Sequence, residues 1–166
     1  MARLVLVGLP ATGKTATAKA LAAIWHCDYI DTDELISDRL GYPAGEYLRA
    51  NGEPAFRARE LEALAQALSV DAVIATGGGI VTTAPARAML SRERTFWLDC
   101  GVDVLIERLG DSDRPLLADD PRGALERLRA QREQWYLEVS RARIDASGTL
   151  EEVTERVLEA ANKDEM

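Results

Sequence analysis

Histidine is almost missing from this 166-residue chain, in which His26 is the single example. Histidine-based catalytic triads and histidine-rich metal sites are therefore left almost without material. Cysteine is equally scarce. Cys27 and Cys100 stand far apart, with no metal-type spacing, and no disulfide is expected between them in a cytosolic chain. No apolar run approaches the roughly 20 residues needed to span a bilayer, so no membrane partner is expected. An excess of positive charge is also absent: 20 Lys and Arg stand against 28 Asp and Glu, a formal net charge of −8. Bulk electrostatics thus argue against a nucleic-acid partner, and any anionic small molecule must be met by local arginines and lysines. Met1-Ala2-Arg3 leads directly into an apolar run. The expectation is a chain without a signal peptide, cytoplasmic and monomeric.

What is present is ordinary globular usage, 47% hydrophobic and 29% charged, over a length that suits a single domain spanning 1–166. Residues 8–15 read Gly-Leu-Pro-Ala-Thr-Gly-Lys-Thr, a complete G-x-x-x-x-G-K-S/T phosphate-binding loop. The preceding Leu4–Val7 has the character of a buried strand, and the Ala- and Leu-rich stretch after it has that of a helix. A strand, a glycine-rich turn and a helix together aim backbone N–H groups and a helix N-terminus at one anion. Gly8, Pro10, Ala11, Thr12, Gly13, Lys14, Thr15 and Ala16 are the expected nucleotide-binding residues. Lys14 supplies a cation for the outer phosphates, and the Thr15 hydroxyl is placed to ligate Mg²⁺. ATP and Mg²⁺ are the expected cofactors. A chance turn would not need four fixed positions between such flanks.

Short apolar runs alternate with helical stretches along the rest of the chain. Strands are expected at Leu4–Val7, Tyr29-Ile30, Ala72–Ala75, Thr95–Leu98 and around Ile144. Helices are expected at Lys14–Ile24, Asp33–Leu40, Ala44–Asn51, Pro54–Leu68, Pro85–Leu90, Val102–Leu109, Arg122–Val139 and Leu150–Ala160. Such alternation predicts an α/β fold, a parallel five-stranded sheet covered by helices on both faces. Ligands then collect beyond the carboxyl ends of the strands. Residues fit for chemistry do follow the strands: Asp31-Thr32-Asp33 after the second, Gly77-Gly78-Gly79 after the third, Asp99 and Cys100 after the fourth. The acidic pair can cap a helix or serve a metal ion and a substrate hydroxyl. The glycine triplet can be a turn, or it can let backbone approach a ring-shaped ligand closely.

The segment Gly52-Glu53-Pro54-Ala55-Phe56-Arg57-Ala58-Arg59-Glu60 resembles the G-E-x-x-F-R-x-x-E segment of shikimate kinases. The phosphate loop, Asp31-Thr32-Asp33, Gly77-Gly78-Gly79, Arg114-Pro115-Leu116-Leu117 and Arg132 four residues before Tyr136 follow that family in order, over nearly the whole chain from Leu4 to about Ala160. The resemblance implies a three-layer P-loop kinase fold, with a substrate-binding helical region at about 32–61 and a mobile lid at about 111–121. It implies ATP-dependent phosphorylation of shikimate to shikimate 3-phosphate. By the same resemblance Asp33 engages the acceptor hydroxyls as base or orienter, and Asp31 is the Mg²⁺-associated acid beside Thr15. Arg57 and Arg132 clamp the substrate carboxylate, Glu60 orients Arg57, and Gly78 and Gly79 contact the ring hydroxyls. Arg114 is the lid arginine at the transferred phosphoryl group, and Arg108 is the nearest match to an arginine that stacks on adenine. The chemistry agrees. A carboxylate wants bidentate guanidinium donors, and phosphoryl transfer wants cations around the moving group and a carboxylate near the attacking oxygen.

Position alone says less. Arg57 could be no more than an i,i+3 partner of Glu60, and Arg132 belongs to a charged run with Arg122, Arg127 and Arg129. Trp25 reads as core, His26 as a turn residue, and Trp135 and Tyr136 as core or hinge packing. The chain also departs from the family pattern. Glu133-Gln134-Trp135 stands where Pro-Leu is usual, Leu109–Asp113 is short and acidic, and Ala11 occupies a phosphate-loop position where glycine is common. Two other classes remain open at this point: another small-molecule P-loop kinase, for gluconate or a nucleoside monophosphate, and a non-catalytic nucleotide-binding module.

Overall fold

The apolar runs LVLV, AVIA and TFWLD become β1 (Leu4–Val7), β3 (Ala72–Ala75) and β4 (Thr95–Asp99), buried along their whole length. Strands without alternation are what a parallel sheet covered on both faces requires. The more polar DYID and ARID form β2 (Asp28–Asp31) and β5 (Ala142–Asp145), which lie at the two edges. The order is β2-β3-β1-β4-β5, all parallel, with Leu4 opposite Val73 and Val5 opposite Thr95. This computed structural model describes residues 2–110 and 120–166.

Eight helices among the described residues complete the architecture: α1 (Lys14–Trp25), α2 (Thr32–Leu40), α3 (Ala44–Asn51), α4 (Glu53–Leu68), α5 (Ala84–Leu90), α6 (Val102–Leu109), α7 (Pro121–Val139) and α8 (Leu150–Asp164). Helices α1 and α8 pack on each other, α1 against β2 and β3 and α8 against β5. Helices α4, α5 and α7 form a second packed series that touches β3 and β4. Most of the buried apolar side chains form one core around the sheet. A second, smaller cluster of Ile36, Ala44, Phe56 and Ala63 joins α2, α3 and α4 away from it. Those three helices are thus pinned to each other, and α2 and α4 also pack on β2 and β3.

Strand and helix positions agree with the sequence expectation to within a few residues. The expected lid, 111–121, and Arg114 within it lie outside the described residues except at the end. There Asp120 accepts from the Gly123 N–H at 3.1 Å and Pro121 opens α7, so these two residues begin a helix. A 3₁₀ turn, Ile80–Thr82, follows the glycine triplet and carries no sequence signal of its own. His26 does close a helix, in the left-handed conformation at φ 53°. Trp25, expected in the core, is only partly buried at its edge.

Candidate active site

The sheet order reverses at β1, the strand that pairs with β3 on one side and β4 on the other, and the phosphate loop leaves its carboxyl end. Gly8 passes so close to β4 that a Cβ there would come within 2.4 Å of the Leu98 carbonyl oxygen, so no other residue fits. Ala11 holds φ 69°, the left-handed region that favours glycine, which explains why glycine is common at this position and makes Ala11 a strained choice. The Thr12 hydroxyl donates to the Leu9 carbonyl at 3.1 Å and tightens the turn. Lys14, buried, donates from Nζ to the Gly8 and Leu9 carbonyls at 2.8 Å each, which holds its ammonium across the loop. No acidic residue occupies the first turn of α1. The start of this helix therefore offers its positive end to an anion with no acid of its own in the way.

Asp31, at the end of β2, does two jobs at once. Its Oδ1 accepts from the N–H groups of Asp33 and Glu34 at 2.8 and 3.2 Å, capping α2, and its Oδ2 accepts from the Thr15 hydroxyl. Capping and the approach to the loop are thus both true of this carboxylate. A hydroxyl and a carboxylate in contact are the hard oxygen donors that suit Mg²⁺, which keeps several waters rather than filling a protein cage. Among the described residues no group of three or more His, Cys, Asp or Glu is placed to hold a metal. The donor set fits an ion bound mainly by phosphate oxygens and water.

Across the cleft lie the residues expected to meet the acceptor. Arg57 donates from Nη1 to Glu60 at 2.9 Å and from Nη2 to Glu53 at 3.1 Å, and its side chain is 10% exposed. It is therefore both the i,i+3 partner of Glu60 and a lining residue of the cleft. Its guanidinium lies against Gly79, where a Cβ would come within 2.3 Å of Nη2. A side chain at this position would have to push the Arg57 guanidinium out of its place. Arg132 is 4% exposed, and its buried Nε has no hydrogen-bond partner. A buried guanidinium with an unused donor is costly unless an anion completes it. The surface-face reading of the charged run on α7 thus fails for Arg132, which points inward with Leu125, Tyr136 and Val139.

Burial pushes the Glu60 carboxyl up to about 7, opposed chiefly by Arg57, with nearby Asp33 pushing the same way as burial. Burial likewise pushes the Tyr136 phenol up to about 12. Tyr136 stacks on Trp97 of β4 with ring centres 5.5 Å apart, and its hydroxyl donates to the Gly78 carbonyl at 2.5 Å. The Gly77 N–H donates to the Thr32 hydroxyl at 3.1 Å. The glycine segment is thus held from α2 and α7 together. Trp135, in the segment that departs from the family pattern, carries the Arg87 guanidinium 4.8 Å from its ring centre, and Arg87 donates to the Val81 carbonyl at 2.7 Å. That contact ties α7 to the 3₁₀ turn beyond Gly79.

These groups line one cleft of about 550 Å³, which brings together Pro10, Ala11, Gly13, Lys14, Thr15, Ala16, Asp31, Asp33, Arg57, Glu60, Gly77–Gly79 and Arg132. Leu48, Phe56 and Leu128 add apolar wall, and Ser37 and Thr76 add hydroxyls. Gly8 and Thr12 shape the loop from beneath. Arg108 lies to one side. It donates to the Ala11 and Thr12 carbonyls at 3.3 Å each and to the Ala146 carbonyl at 2.6 Å, joining the phosphate loop to the turn after β5. Asp99 is the last residue of β4, one residue further than expected, and Cys100 follows it, but neither lines the cleft. Asp99 is paired with Arg129 at 2.8 Å and Arg143 at 2.6 Å, and anchors α7 to the sheet.

Sequence reasoning missed the Tyr136–Gly78 bond, the Thr32–Gly77 bond and the apolar walls. The spacing of Leu125, Leu128, Arg132, Tyr136 and Val139 on one helical face is the signal that could have marked Arg132 as inward.

Comparison with known proteins gives a consistent result. The family model "Shikimate kinase" matches residues 10–162. The chain is 38% identical over 148 residues to a shikimate kinase of Corynebacterium jeikeium, covering 88% of this chain and 80% of the relative. It is 38% identical over 161 residues to one from Streptomyces avermitilis, covering 95% and 94%. Among solved structures, a shikimate kinase from Acinetobacter baumannii in complex with shikimate superposes with a TM-score of 0.92 at 30% identity, covering 98% of this chain and 94% of that one.

Proposed function

Because the chain belongs to the shikimate kinase family, we propose that it transfers the γ-phosphoryl group of ATP to a hydroxyl of shikimate, giving shikimate 3-phosphate and ADP. One observation carries the acceptor side of this reading. A buried arginine with an unused donor, Arg132, lines the same cleft as Arg57, Asp33 and the phosphate loop. An acceptor with one carboxylate and several hydroxyls complements that set. The two guanidinium groups take the carboxylate, Asp33 takes a hydroxyl, and the backbone of Gly78 and Gly79 meets the ring.

In this reading the acceptor oxygen attacks the γ-phosphorus as the bond from phosphorus to the β–γ bridging oxygen breaks, and the hydroxyl proton passes to Asp33. Lys14 and the N-terminus of α1 balance negative charge on the phosphoryl oxygens as the bridging bond lengthens. Arg57 and Arg132 bind rather than react, and they convert a bimolecular encounter into an oriented one. Thr15 and Asp31 would hold Mg²⁺, which supplies charge neutralisation to the phosphates when bound. Arg108 steadies the phosphate loop on the nucleotide side. The assignment of Arg114 to the moving phosphoryl group rests on the family resemblance alone.

A coupled ADP-release assay with shikimate, gluconate and AMP tests the proposal. Turnover with shikimate far above the other two is expected. Preference for gluconate or AMP would reassign the acceptor, and ADP-site binding without turnover of any acceptor would make this a non-catalytic module.

A further inference from the structure

Glu60 is held in an uncommon setting for a carboxylate. Its side chain is 3% exposed, and its ion pair is with Arg57, at 2.9 Å. Its other oxygen converges with Asp33 on one point: a Cβ on Gly77 would lie 2.9 Å from Glu60 Oε2 and 2.8 Å from Asp33 Oδ1. The charges that face Glu60 are Asp33 from α2, Arg57 from its own helix and Arg132 from α7, with the Tyr136 phenol beside them. With the exposed Glu53, which shares Arg57 at 3.1 Å, two arginines already face three carboxylates before any ligand arrives.

A substrate carboxylate brought to Arg57 and Arg132 adds a fourth acid against the same two bases. It also competes with Glu60 for the Arg57 guanidinium. Asp33 lies on the exposed side of the cleft and can keep its charge in contact with water, whereas Glu60 cannot. The excess charge is relieved most easily where burial already opposes it.

We propose that Glu60 takes up a proton when the acceptor carboxylate binds between Arg57 and Arg132, so that acceptor binding is coupled to protonation of this one side chain. The inference rests on the acceptor reading above. The proton comes from solvent and enters at a Glu60 carboxyl oxygen, while Arg57 turns its freed N–H toward the ligand. Glu60 in the free protein changes charge at about pH 7. Uptake therefore requires a pH at which Glu60 starts out ionised. Acceptor affinity should fall as pH rises above that midpoint, by up to about tenfold per pH unit, the limit for one linked proton.

Titration calorimetry with shikimate in two buffers of different ionisation enthalpy measures the proton count directly. About one pH unit above the midpoint we expect net uptake approaching one proton, and about two units below it almost none. ADP titrated under the same conditions should show no such dependence. Glu60→Gln, which keeps an oxygen for Arg57, should bind shikimate with no uptake at either pH. Shikimate binding to the wild type without buffer-dependent heat overturns the inference and leaves the acceptor reading intact. Uptake that persists in Glu60→Gln also overturns it, by moving the proton elsewhere. Failure of the wild type to bind or turn over shikimate overturns the acceptor reading, and this inference with it.

Discussion

The phosphate-loop side of the cleft draws its groups from residues 8–16, one unbroken stretch between β1 and the first turn of α1. The acceptor side draws Asp33 from α2, Arg57 and Glu60 from α4, the glycines from the end of β3, and Arg132 from α7. On the first side most of the work falls to backbone N–H groups whose placement follows from the loop's own conformation. On the second it falls to side chains that must be brought together by packing and then balanced in charge. The nucleotide side should therefore tolerate change elsewhere in the molecule, while the acceptor side depends on how α2, α4 and α7 are held. The Asp99–Arg129–Arg143 anchor, the Tyr136–Gly78 bond and the Arg87–Trp135 contact are the devices that hold α7.

The largest expected effect breaks the comparison from the nucleotide side. Lys14→Ala should fold normally yet lose about two to three orders of magnitude in kcat, since it removes a preorganised cation from the transferring group. Shikimate-dependent ADP release near the wild-type rate would remove Lys14 from the catalytic set.

Acceptor-side arginines should separate the two halves. Arg132→Ala and Arg57→Ala should each weaken shikimate binding by about 2–5 kcal/mol, the range for removing one partner of a buried charge-assisted contact. ADP affinity should stay within a few tenths of a kcal/mol. Equal losses for both ligands in calorimetry would show that these residues support the fold rather than one side of the cleft.

Glu60 sharpens the comparison through stability. Its carboxyl titrates higher folded, at about 7, than its ordinary 4.5. The native state thus binds more protons than the unfolded state across that window, and the contribution of Glu60 to stability falls as pH rises through it. By linkage the loss reaches about 3 kcal/mol above pH 7. Glu60→Gln should escape it. Denaturant melts should find the variant more stable than wild type about one unit above the midpoint, with the two close together near pH 5. A gap that does not change with pH would show that Glu60 stays ionised throughout.

The smallest effect probes the nucleotide edge. Arg108→Ala removes donors to four carbonyls at a partly exposed site, so we expect about 1 kcal/mol weaker ADP binding and unchanged shikimate binding. A loss on the acceptor side instead would mean that the two halves communicate through the turn after β5.

Legibility in the sequence followed the same division. The phosphate loop, the buried strands and the helix positions were readable because each is a local pattern: fixed glycines, unbroken apolar runs, helical spacing. Arg132 is not singled out by the charged run, which looks alike whether one member points inward or none does; only the apolar spacing around it carries that signal. Asp99 drew notice for the opposite reason. Its place at a strand end suggested chemistry, yet two arginines that are distant in sequence occupy it. Ala11 departs from the glycine common at its position, and the cost of that departure lies in its left-handed backbone, which the sequence does not display.

By itself, the amino-acid order determined that an alternating α/β chain with a polyphosphate loop would form, since these depend on neighbours within a few turns of chain. The six shared motifs, and the spacing between them, marked the family. Only the tertiary structure decided which arginines face the cleft and that Glu60 is buried against two of them beside a second acid. Only it decided that Tyr136 and Thr32 hold the glycine segment. Those facts turn on which side chains lose contact with water when helices far apart in sequence pack on one sheet, and burial of that kind is a property of the assembled layers.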